Sequence, residues 1–184
     1  MTHNAKDIRR VVTGKDQNGR SGVLFDSAAP LTHALGRGGR MTDCWVFNNS
    51  PAGLSGDRDD GDQEFVFEPP PRGAHFRFVD SAPPPESSER ASAETSAKVQ
   101  TVSFDASSTG DRGGSSATRT RNHKTESVDY GVVVEGRRTL VLDDRELLME
   151  KGDVVIQLGN FHAWDNDNDG SIMSFIMIGG TFGG

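Results

Sequence analysis

A chain of 184 residues allows one domain, but 33% apolar content with 22 glycines and 8 prolines implies that part of it is not packed. A formal charge of −7, with a densest basic stretch (Arg119 to Lys124) of only two arginines and one lysine, excludes a nucleic-acid footprint. The single cysteine, Cys44, excludes an internal disulfide and a thiolate metal cage; the polar first twenty residues and the lack of ~18 consecutive apolar residues argue against a secretory signal or a membrane span.

In chain order, Gly22 to Phe25 and Thr42 to Phe47 are short β-like runs bounded by Gly, Pro, Asn and Asp. Residues 64–68 alternate with Phe65 and Phe67 on one face, and 74–79 alternate through Phe76 and Phe78. The three prolines of Pro69 to Gly73 make a turn between them. From 81 to 122 the chain is rich in Ser, Ala, Pro, Glu, Gly and Thr, which reads as a flexible, partly disordered insertion. Within it, 98–104 is a candidate strand and 105–118 a loop. Five short β-like runs follow: 128–134, 139–142, 147–149, 154–157 and 172–178. Strands at roughly 8–12-residue spacing with turn signals between them indicate a sandwich or barrel. The chain reads as all-β: amino-terminal strands in 1–80 contributing to the barrel, the insertion in 81–122, and the barrel core in 123–184.

Two segments carry the chemistry. The first runs from His123 through Thr125 and Asp129 to Gly136; the second from Gly152 through Gln157, Gly159 and His162 to Asn166. They resemble the two motifs of the cupin family. The first motif is His-x-His, three or four residues, Glu, six residues, Gly. The second is Gly, five residues, Pro-x-Gly, two residues, His, three residues, Asn. Gly136, Gly159, His162 and Asn166 fall at these spacings, and Gly152 is one residue closer. Thr125 stands for the second histidine, Asp129 for the glutamate and Gln157 for the proline. The resemblance extends to the run from Ile8 to Gly14 and to the Trp45 strand. It implies a cupin double-stranded β-helix (jelly-roll) barrel with an amino-terminal β extension and a long insertion.

In an extended strand, residues of one parity share a face, so His123, Thr125, Ser127 and Asp129 are expected to point together into the barrel. His162 and Trp164 share a parity after Gly159. Two imidazoles and a carboxylate, His123, His162 and Asp129, make a three-ligand set for a divalent metal. Fe, Mn, Zn and Ni are not distinguished, and the loss of a nitrogen ligand at Thr125 keeps a metal-free site open. Bland roles stand beside these: a loop-end histidine for His123, a rim histidine held by a carbonyl for His162, and a capping carboxylate for Asp129. Thr125, Gln157 and Trp164 are candidate substrate contacts, with wall or packing roles as the alternative. The acidic run Asp165 to Gly170 lacks the glutamate a calcium loop needs and reads as a solvated turn.

The resemblance implies an enzyme acting on a small organic acid or polyketide-like metabolite, with lyase or isomerase chemistry: decarboxylation, dehydration or cyclisation. His123, Asp129 and His162 would act through a metal that polarises a carbonyl, or a histidine oriented by a carboxylate would shuttle a proton. A non-haem iron(II) dioxygenase is the alternative, and a non-catalytic ligand-binding cupin the second. The expected setting is cytoplasmic and in secondary metabolism. The expected partners are a small-molecule substrate and a second copy in a homodimer, with no nucleic acid and no membrane.

Overall fold

Period-two alternation without helical periodicity yields strands throughout. The computed structural model describes residues 7–35, 39–83, 100–101, 110–116, 118–166 and 170–182, and among them it contains thirteen β-strands and no helix. β1 (Arg9–Lys15) and β2 (Ser21–Ala28) form an antiparallel hairpin in a sheet of their own. β3 (Leu31–Leu35), β4 (Gly39–Phe47) and β5 (Ala74–Ser81) form an antiparallel run, with β6 (Gln100–Thr101) parallel to β3 at its edge. β7 (Gly110–Gly113) and β8 (Asn122–Lys124) pair with each other. β9 (Ser127–Val141), β10 (Glu146–Glu150), β11 (Val154–Leu158), β12 (Ala163–Asp165) and β13 (Ser171–Gly179) complete the barrel.

β9 is the spine. Its first half lies between β11 and β13, its second half between β10 and β12, and β13 continues through β5 to β4 and β3. The strand turns the corner at Gly136, whose φ is +71°. A Cβ there would lie 2.5 Å from the Gly170 carbonyl oxygen, so this approach of β9 to the turn before β13 requires glycine. The β9–β13 register shifts between Ile172 and Met173, where β9 carries one extra residue. A bulge of this kind bends a strand and reverses which parity faces inward. Ser127, Asp129, Gly131 and Val133 are buried before it; Arg138 and Leu140 are buried after it.

The core joins Met41 and Val79 to Val133, Leu140, Trp164, Met173, Phe175 and Met177. Each such side chain stabilises by roughly 1.5–3 kcal/mol when removed from water. Beneath them Arg77, 1% exposed, grips Asp43 through Nε–Oδ1 (2.6 Å) and Nη2–Oδ2 (3.0 Å). Its remaining N–H groups donate to the carbonyls of Phe67 (3.0 Å) and Val66 (2.9 Å), and Phe65 lies under the guanidinium at 4.6 Å.

That grip accounts for one departure from the sequence reading. Residues 64–68 alternate as expected, with Phe65 and Phe67 inward and Val66 exposed, yet they form no strand. Two of their carbonyls serve Arg77 instead of a ladder. The runs 128–134 and 139–142 belong to one strand, β9, because its turn is a bend and not a reversal. β3 and β12 escaped the sequence reading, and β7 falls in the stretch read as a loop over 105–118. Of the strand expected over 98–104, only residues 100–101 are described, as β6; 98, 99 and 102–104 lie outside the described residues, as do 84–97 and 105–109 of the insertion.

The outward face of β11, β9, β13 and β5 is apolar. The register sets Ile156 beside Tyr130, Tyr130 beside Ile176 and Ile176 beside Phe76, with Leu158, Val128 and Ile178 in the next row. Ile156, Leu158, Tyr130, Ile176, Ile178 and Phe76 are all exposed. No helix among the described residues is long and apolar enough to cross a membrane.

Candidate active site

The barrel encloses a cavity of about 320 Å³, near the lower end of the roughly 300–1,000 Å³ usual for small-molecule sites. All six residues singled out from sequence line it: His123, Thr125, Asp129, Gln157, His162 and Trp164. The strand ladder explains the convergence. Gln157 on β11 is the direct partner of Asp129 on β9, so both side chains enter the barrel from one level. His123 on β8 and His162, just before β12, form a two-residue bridge in which each backbone N–H donates to the other's carbonyl at 2.9 Å. Gly159, with φ +66°, turns the chain from β11 towards that bridge; a Cβ there would press on the Thr125 carbonyl at 3.2 Å.

The bridge brings the two imidazole rings to a centroid distance of 4.5 Å. Nδ1 of His123 faces the Arg121 carbonyl at 2.9 Å, and Nδ1 of His162 faces the Asn160 carbonyl at 3.0 Å. A carbonyl only accepts, so each Nδ1 carries the proton and each Nε2 keeps its lone pair. Burial holds both rings neutral. It pushes the His162 pKa down to about 4, with the neighbouring His123 adding to the effect, and lowers that of His123 as well.

Asp129, on β9, lines the same cavity. Only 4% exposed, it has its pKa raised to about 6 by burial, partly offset by a hydrogen bond from Ser127. With Ser127 donating to the carboxyl, the 2.7 Å contact between the Thr125 and Ser127 hydroxyls runs from Thr125 to Ser127, so Thr125 is a relay behind the acid. Asp129 Oδ1 and both polar atoms of the Gln157 amide are buried without a partner. Buried polar atoms are normally paired, and orphans sharing one cavity point to a ligand or water between them.

The expected orientation of a histidine by a carboxylate is replaced by backbone carbonyls. Among the described residues, no three His, Cys, Asp or Glu side chains come close enough together to hold a metal ion. The two imidazole rings adjoin each other, and Thr125 spends its hydroxyl on Ser127. These residues therefore do not by themselves fit a three-ligand divalent site.

Sequence reasoning missed Arg138. It is 3% exposed, lines the cavity, and lies with Cζ 5.3 Å from the Trp164 ring centroid. Its neighbourhood in the sequence (Gly-Arg-Arg-Thr-Leu-Val-Leu) held the signal, because Arg138 shares parity with Leu140. The bulge before Gly136 hid it, since parity counted from Asp129 places Arg138 outside.

Comparison with known proteins adds relatives. No family model matches the chain. Over 45 residues it is 51% identical to a phomopsin biosynthesis cluster protein of Diaporthe leptostromiformis, covering 24% of each chain. Over 166 residues it is 27% identical to a cupin-domain-containing oxidoreductase of Aspergillus ruber, covering 86% of this chain and 64% of the relative. The chain thus spans about a quarter of the first relative's length and just under two thirds of the second's. A solved cupin-2 domain from Rhodospirillum rubrum aligns over 100% of this chain and 78% of its own, with 9% identity and a TM-score of 0.45. Motif residues, the all-β barrel and the similarity to a cupin-domain-containing relative agree on the fold, a small cupin-type barrel.

Proposed function

We propose that this cupin is a small-molecule enzyme of the lyase or isomerase type that moves a proton on carbon next to a carbonyl, with Asp129 as base and Gln157 as oxyanion donor. The observation that carries the reading is their pairing: a buried carboxyl with pKa about 6 beside a buried amide with no partner. A base is most effective when its pKa lies near the working pH. One Asp129 oxygen takes the proton from the carbon, the C–H electron pair moves into the carbonyl, and the Gln157 N–H groups receive the developing oxyanion. The same proton returns at another carbon in an isomerisation, or a β-leaving group departs with it in a dehydration. His123 and His162, neutral and acceptors at Nε2, orient substrate hydroxyls. Phomopsin biosynthesis, named for the relative in Diaporthe leptostromiformis, supports a place in secondary metabolism.

Deuterium exchange into 2-oxobutanoate and cyclohexanone, followed by NMR in D₂O, tests this. The protein should catalyse exchange, and Asp129→Asn should slow it by about 10²–10⁴-fold. An Asn variant that exchanges at the original rate removes Asp129 as base. A second reading, an oxidoreductase, is favoured by the name of the Aspergillus ruber relative. Oxygen consumption in place of exchange on the same compounds would select it; binding with neither would select a ligand-binding role.

We also propose that two copies pair through the apolar outer face. Its rows carry no charge, so a second copy matches it in polarity across a two-fold axis. Sedimentation should show a dimer that Ile156→Glu converts to monomer; a monomeric starting protein refutes this.

A further inference from the structure

The charges around the cavity do not balance evenly. Four arginines line it, and three are neutralised at short range. Arg77 is held by Asp43, Arg121 by Asp111 at 2.5 Å, and Arg119 by Asp165 at 3.1 Å and Glu146 at 2.8 Å. Arg138, the most deeply placed of the second-half residues of β9, has neither a salt bridge nor a hydrogen bond among the described residues. Its Nε is buried without a partner. The one carboxylate whose field reaches it, Asp165, already accepts from Arg119. What Arg138 does have is an aromatic face: Trp164 lies 5.3 Å from Cζ and is itself held against Phe175, ring to ring at 6.1 Å.

A guanidinium within cation–π reach of an indole and without a hydrogen bond of its own keeps its N–H donors for bidentate capture of a planar anion. Burying such a charge unpaired is costly, and a cavity anion removes the cost. The wall beside it supplies apolar contact through Met41, Val79, Phe175 and Met177.

We propose that Arg138 is the anchor for the carboxylate of a small organic acid, gripping it edge-on over Trp164 while the apolar remainder lies along Met41, Val79 and Met177. The carboxylate is thereby held away from Asp129, whose own charge would repel it. This inference rests on the reading of the cavity as a substrate site and names the substrate class. It makes Arg138 a specificity residue, with the proton chemistry left to Asp129 and Gln157.

Matched acid and amide probes test it by binding alone. Benzoate and benzamide, then cinnamate and cinnamamide, are titrated against the full chain by calorimetry, with indole fluorescence as a second readout. Each acid should bind roughly 10- to 100-fold more tightly than its amide, the range set by a charge-assisted hydrogen-bond pair. Arg138→Gln should erase that preference, and Arg138→Lys should restore part of it. Equal binding of acid and amide, no acid binding at millimolar concentration, or a preference that survives in Arg138→Gln would each overturn the proposal. If Arg138→Gln fails to fold, the acid-to-amide ratio of the unaltered protein and the Lys variant still decide it. Acid preference without proton exchange into cyclohexanone sinks the proton-transfer reading and leaves this one standing; exchange without acid preference does the reverse.

Discussion

The raised pKa of Asp129 has a measurable consequence for stability. Folding takes this carboxyl from its ordinary 3.8 to about 6, because a barrel interior solvates its charge poorly. The folded state then binds the proton more tightly than the unfolded state. The neutral acid contributes its relative stabilisation in full below pH 3.8, and that is lost as pH rises through about 6. At roughly 1.36 kcal/mol per pKa unit, the loss is about 3 kcal/mol. Asp129→Asn removes the titration while keeping an acceptor for Ser127. The constant cost of the amide drops out when the two proteins are compared across pH, as do all other titrating groups. Urea unfolding at pH 3.5, 5 and 7.5 should therefore show the natural protein losing about 3 kcal/mol relative to the variant. On a thermal scan that is a relative fall of about 6–12 °C. Parallel curves would refute the burial argument, and a difference growing in favour of the natural protein at high pH would mean that Asp129 is ion-paired.

Three further outcomes follow from the geometry. The ring resonances of His162 should not titrate between pH 8 and 5, since burial puts its pKa at about 4; a midpoint near 6.5 would place the ring in water. The stability linked to this histidine is full above pH 6.5 and is lost as pH falls towards about 4. Arg77→Ala strands Asp43 and should cost about 3–5 kcal/mol in denaturant unfolding, whereas less than about 1 kcal/mol would show that the pair is solvated. Gly136→Ala should cost more than Gly152→Ala. Both glycines have positive φ and share a penalty of roughly 1–2 kcal/mol, but only Gly136 meets a carbonyl oxygen, and equal losses would discount that contact.

How much of the site was legible differs from residue to residue. Alternation running into β9 placed Thr125, just before the strand, and Ser127 and Asp129 within it among the buried residues, because a strand's period of two is local. The spacing of Gly159 and His162 located the second histidine for a similar reason: a positive-φ turn of fixed length delivers the chain to one place. Thr125 faces inward as expected, but its partner turned out to be Ser127, two residues away on the same face.

The sequence by itself determined the all-β class, the barrel motif and six residues that share one cavity, since these follow from local period, turn chemistry and spacing. Tertiary structure alone decided how those six divide. It set the two imidazoles against backbone carbonyls, left Asp129 and Gln157 as a separate buried pair, and turned Arg138 inward past a bulge. It also gave residues 64–68 to Arg77 in place of a ladder. The imidazole–carbonyl contacts span only two residues each, but the His123–His162 bridge, the Asp129–Gln157 pairing and the Arg77 contacts join segments far apart in sequence, and burial, charge balance and hydrogen-bond satisfaction depend on them.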